Sequence, residues 1–89
     1  MGAVQELDRA REAYEGGAWE RAHDLLARAD EEARLAPDDL ELLATAAYML
    51  GRDDEHMRLL ERAHRDHLGA GDELAAIRCA AWLSIFLTV

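Results

Sequence analysis

The stretch Ala13-Tyr14-Glu15-Gly16-Gly17-Ala18-Trp19-Glu20-Arg21-Ala22 decides the reading of this chain. Its skeleton returns 34 residues later as Ala47-Tyr48-Met49-Leu50-Gly51-Arg52-Asp53-Asp54-Glu55-His56. At the same displacement Ala10 falls on Ala44, Leu25 on Leu59, Leu26 on Leu60, Arg28 on Arg62, Ala29 on Ala63 and Ala36 on Ala70. Alanine and leucine are abundant here, so the weight rests on Tyr14/Tyr48 and Gly17/Gly51. A second step of 34 puts Asp38 on Asp72, Leu40 on Leu74, Ala46 on Ala80, Ala47 on Ala81 and Tyr48 on Trp82. A period of this length marks units that bury their apolar faces by stacking on neighbours.

The breakers keep the same period. Gly16-Gly17 and Gly51 close helices, Pro37 separates two more, and Gly69 and Gly71 separate the last two. Asp38 stands three residues before Glu41, the spacing of a capping box. Asp53-Asp54-Glu55 and Asp72-Glu73 place negative charge where helix N-termini favour it. Five helices are expected, at about 4–15, 19–34, 38–50, 54–68 and 73–88, and no strand. Trp19, Ala22, Leu25, Leu26 and Ala29 form one apolar stripe, and Met57, Leu60 and Ala63 another. The expected fold class is all-α, antiparallel helix pairs in one domain over residues 1–89. Repeats cover about 3–36 and 37–70, with a truncated copy at 71–89.

The glycine turn, the aromatic Trp19 after it and the small residues Ala22, Ala27 and Ala29 resemble a tetratricopeptide repeat. The second copy departs from that pattern, with Asp53 for the aromatic and His56 for the small residue. A narrower stretch is similar to the helical-repeat region of actinobacterial LuxR-type transcription regulators. It is carried by Ala47-Tyr48-Met49-Leu50-Gly51-Arg52-Asp53-Asp54-Glu55, by Ala70-Gly71-Asp72 and by Arg78-Cys79-Ala80-Ala81-Trp82-Leu83. The resemblance implies a non-catalytic, cytoplasmic interaction module, the regulatory N-terminal fragment of a larger regulator. It also implies a binding wall on the first helix of each pair, made by Val4, Leu7, Arg11 and Tyr14, then Glu41, Thr45, Tyr48 and Met49. Ala75, Cys79, Trp82 and Leu83 complete it. Tyr14, Tyr48 and Trp82 would form its row of aromatics, set against the plainer reading that they pack between helices.

Formal charge is −9, from 19 acids against 10 bases, which disfavours nucleic acid and anionic membranes and suits a protein or peptide partner. The single cysteine, Cys79, allows no internal disulfide. The first residues lack the basic and apolar regions of a signal peptide. Leu74–Val89 is apolar but short for a membrane span and carries Arg78. On a helix, Leu83, Ile85, Phe86, Leu87 and Val89 cannot all face one neighbour. They are expected to form a homo-oligomer interface, and a self-standing oligomerisation protein is the alternative to the regulatory module.

Chemistry-bearing motifs are few. Glu20/His23 and Glu61/His64 both read Glu-x-x-His, as in di-iron bundles. They lie 41 residues apart rather than 34, and surface charge is the expected reading. His64 and His67 could share an exposed ion, but without a third ligand. Cys79, with no histidine near it in sequence, reads as a small apolar filler. No catalytic set, cofactor or metal is expected.

Overall fold

The computed structural model of the chain describes the backbone of residues 2–88 and the side chains of residues 5–85. Val4, Phe86, Leu87 and Val89 therefore fall outside the described side chains. The chain is all-helical, with α1 (Gly2–Glu15), α2 (Trp19–Glu32), α3 (Pro37–Met49), α4 (Asp53–Gly69) and α5 (Glu73–Thr88), and no strand among the described residues. Each helix packs closely on the next in sequence.

The turns are set by glycine. Gly17, Gly51 and Gly71 adopt φ of 77°, 77° and 80°, the left-handed region that a side chain disfavours. Each ends its helix with the same pair of backbone bonds. Gly17 N–H donates to Tyr14 and Ala18 N–H to Ala13; Gly51 donates to Tyr48 and Arg52 to Ala47; Gly71 donates to Leu68 and Asp72 to His67. This is the Schellman closure, which satisfies carbonyls the helix leaves open. The residue after the glycine then accepts the first bond of the next helix, from Ala22, His56 and Ala76. The α1–α2 and α3–α4 turns thus superpose at a displacement of 34 residues, and the α4–α5 turn shares their form.

The α2–α3 link differs. Ala33 and Ala36 are extended, Ala36 as expected of the residue before proline, and Pro37 opens α3. Buried Leu35 anchors the link, and its N–H donates to Asp30 Oδ1 at 3.0 Å. The capping box expected at Asp38 and Glu41 does not form. The cap is Ala36 with no side-chain bond, because the Glu41 carboxylate is turned to α4 and α5. Asp72 does cap α5, accepting from Ala75 N–H at 3.1 Å.

Leu26, Leu40, Leu43, Leu59, Leu60 and the alanines between them form one core. Polar cross-links then tie alternate helices. Between α2 and α4, His23 bonds Glu55, Arg62 bonds Asp30, and Arg34, just beyond α2, bonds Asp66, each across 32 residues. Partners that advance together along both helices require α2 and α4 to run parallel. Arg11 holds Asp39 with two bonds, linking α1 to α3, and Arg78 holds Glu41, linking α3 to α5. No helix among the described residues is long and apolar enough to cross a membrane.

Candidate interaction groove

α3 and α5 are tied at one end by Arg78 and Glu41 and leave a groove of about 960 Å³ beside them. Glu41, Thr45, Tyr48 and Met49 of α3 form one wall, and Trp82 and Ile85 of α5 the other, with Asp53, His56 and Leu60 of α4 between. Thr45 turns its hydroxyl back to the Glu41 carbonyl, 3.0 Å away, and so spends its donor within the helix. His56 is seated by a 2.7 Å hydrogen bond from Nδ1 to the Ala44 carbonyl. Its ring meets that of Tyr48 at 5.1 Å between centroids, tilted by 46°. Tyr48, Trp82 and Ile85 nonetheless leave about half of their surfaces to solvent, at 51%, 56% and 54%. Aromatic and aliphatic groups with a few fixed polar atoms are the usual lining of a recognition cleft.

Several expected groove residues stand elsewhere. The groove does not extend onto α1. Tyr14 packs edge-on against Trp19 at 5.3 Å, so the row of three aromatics is reduced to Tyr48 and Trp82. Leu7 packs against the core, and the Arg11 guanidinium is taken by Asp39 at 2.9 Å. Cys79 and Ala75 are buried, because they lie on the face of α5 pressed against the rest of the fold. Burial, with the Glu41 charge nearby, pushes the Cys79 thiol up to about 11, which removes it as a nucleophile near neutral pH.

The bare face of α5 also differs from the expected one. Leu83 packs on the core and is not part of an open interface, while Ile85 is exposed and shared with the groove. The open residues are Leu74, Ile77 and Ala81. They stand 34 residues after Leu40, Leu43 and Ala47, which are buried in the core with Leu59, Leu60 and Ala63 of α4. The same repeat positions are covered on α3 and uncovered on α5.

Two histidines read as surface groups are interior. His23 is 7% exposed and donates from Nε2 to Glu55 Oε2 at 2.7 Å. His67 is 2% exposed and cannot share an exposed ion with His64; its Nε2 lies 2.8 Å from Glu41 Oε2. Glu41, His67 and Cys79 thereby meet, with ligand atoms all within 4.8 Å of one another. They come from three helices at separations that match no local motif, so no sequence signal pointed to them. The Glu41 carboxyl is pushed up by burial, yet hydrogen bonds and charge from Arg78 and His67 outweigh that and hold it below its ordinary value. The chain matches no family model, no curated protein and no solved structure.

Proposed function

We propose that the chain is a non-catalytic interaction module of tetratricopeptide type, and that it receives an apolar segment of a protein partner in the α3–α5 groove. The observation that carries this reading is the exposure of Tyr48, Met49, Trp82 and Ile85 on one concave surface. Tyrosine and tryptophan are frequent anchors at interface hot spots, since each removes a large apolar area from water and keeps one polar handle. Arg11 and Arg78 are already paired with carboxylates, which argues against a site for a carboxylate-tailed peptide. The resemblance to LuxR-type regulators extends the proposal to a cytoplasmic, regulatory part of a transcription regulator.

The test is peptide selection from a displayed library, followed by calorimetric titration of the recovered peptides. Tyr48→Ala is expected to weaken them by about 2 kcal/mol or more, roughly 30-fold. Far-UV circular dichroism must show the variant folded. Unchanged affinity in folded Tyr48→Ala would remove the groove from consideration.

A second reading is supported by the bare face of α5. Leu74 and Ile77 are 81% and 63% exposed where their repeat equivalents are buried. Contiguous apolar surface of this kind marks an interface in soluble proteins. We propose that a second copy of the chain covers it, most simply about a two-fold axis. Multi-angle light scattering should report an oligomer for the unmodified chain and a monomer for Leu74→Glu with Ile77→Glu. A monomeric unmodified chain at high concentration counts against self-assembly. Both positions lie outside the groove, so peptide binding should survive the double change.

A further inference from the structure

We infer that Glu41, His67 and Cys79 form a binding site for a thiophilic divalent transition metal, with zinc the best fit. The three side chains come from α3, α4 and α5, and their ligand atoms already lie within 4.8 Å of one another. Zinc takes carboxylate oxygen, imidazole nitrogen and thiolate sulfur at about 2.0–2.3 Å, so a tetrahedral ion needs donors roughly 3.3–3.8 Å apart. The widest separation must close by about an ångström. The Glu41–His67 contact of 2.8 Å must open as Nε2 gives up its proton to solvent and the ring, as a neutral ligand, carries its one proton on Nδ1.

The surroundings suit such an ion. Cys79 and His67 are 0% and 2% exposed, so water competes weakly for two of the ligand positions. Soft thiolate with imidazole selects zinc over magnesium or calcium, which favour oxygen donors. Thiolate and carboxylate together cancel the two charges of the ion, and the thiol releases its proton to solvent. Arg78 is the apparent obstacle, because its guanidinium bonds both Glu41 oxygens, Nη2 to Oε2 at 2.6 Å and Nε to Oε1 at 3.1 Å. Its side chain is 52% exposed and can give up Oε2 to the metal while Nε keeps Oε1. Arg78 then orients the ligand from outside, as hydrogen-bonded partners of metal ligands commonly do. The fourth position falls to water or to Asp38, whose Oδ1 lies 3.9 Å from His67 Nε2 on a solvent-facing side chain. The site uses none of Glu20, His23, Glu61 or His64. An ion there would clamp α3 to α5 where they converge and so fix the opening of the groove beside it.

The experiment is a cobalt(II) titration of tag-free, metal-stripped, reduced protein near neutral pH. A spectrum saturating at one equivalent is expected, with a thiolate-to-cobalt band in the near ultraviolet and the intense visible bands of tetrahedral cobalt. Zinc should bleach it. Cys79→Ala should lose the near-ultraviolet band. Its affinity should fall further than the roughly 10–100-fold that loss of an outer partner brings. Absence of a saturable spectrum in the unmodified protein overturns the inference, whatever the variant does. So does a cobalt spectrum that persists unchanged in folded Cys79→Ala.

Discussion

Leu40→Ala is expected to destabilise the protein by about 2–5 kcal/mol, the range for emptying a buried leucine site. Leu40 is 0% exposed and sits in the core at the start of α3, among leucines and alanines of α2, α3 and α4. Small alanines hold these helices close, so the surroundings have little freedom to collapse into the space left behind. A domain of this size is held by a margin on the order of 5–15 kcal/mol, so the change is a large share of it. Thermal unfolding followed by circular dichroism should show Tm lowered by roughly 10–30 °C. Leu74→Ala is the matched control. Leu74 is the repeat equivalent of Leu40 but is 81% exposed in the single chain, and at concentrations low enough to keep the chain monomeric its truncation should stay within about 0.5 kcal/mol. Equal effects at the two positions would contradict the packing described for α5.

The second large effect is expected in acid. Asp30 accepts two bonds from Arg62, at 2.6 and 2.7 Å, and one from Leu35 N–H. The Arg62 bonds lower its pKa from the ordinary 3.8, against burial that raises it, and the Leu35 bond adds to the lowering. Glu41 is also lowered, from 4.5, where Arg78 and His67 outweigh burial. Both carboxyls hold a proton less tightly folded than unfolded. Their stabilisation is therefore complete above the unfolded values and is lost as pH falls through the lowered folded ones. Denaturant unfolding should show stability declining from about pH 4.5 downward. Asp30→Asn removes the charge from two bonds at the α2–α4 seam and one in the α2–α3 link, and should cost on the order of 2 kcal/mol near neutral pH. It should also flatten the acid slope. An unchanged slope in folded Asp30→Asn would show that Asp30 does not carry the linkage.

The sequence by itself determined what depends on neighbours in the chain. Gly17, Gly51 and Gly71 are the residues whose backbone can enter the left-handed region, so they place three of the turns, and Pro37 places the fourth break. Helical periodicity between those points gave helix bounds within a few residues of the observed ones. The apolar stripe of α2 was legible because Ala22, Leu26 and Ala29 recur at helical spacing and are buried as a set. The resemblance grouped Tyr48, Met49 and Trp82, and they line one groove, Tyr48 and Met49 on its α3 wall and Trp82 on its α5 wall.

What the tertiary structure decided depends on how helices are rotated against one another, which spacing along one helix does not encode. Leu40 and Leu74 are the same residue at the same repeat position, yet one is sealed and the other bare, because α4 covers the face of α3 that carries Leu40, while α4 packs on a different face of α5 and no described helix covers the one that carries Leu74. Tyr14 left the expected aromatic row because Trp19 at the head of α2 stands beside its ring, a partner that Asp53 cannot replace beside Tyr48. Several charged and histidine side chains became cross-links between helices. Asp39, His23 and His67 are interior because Arg11, Glu55 and Glu41 reach them from the next layer, and a paired polar group can be buried where a lone one cannot. Glu41, His67 and Cys79 stand 26 and 12 residues apart in sequence and meet because three helices converge at one end of α3. Their chemistry follows from that convergence and from the exclusion of water around it, and both are properties of the assembled fold.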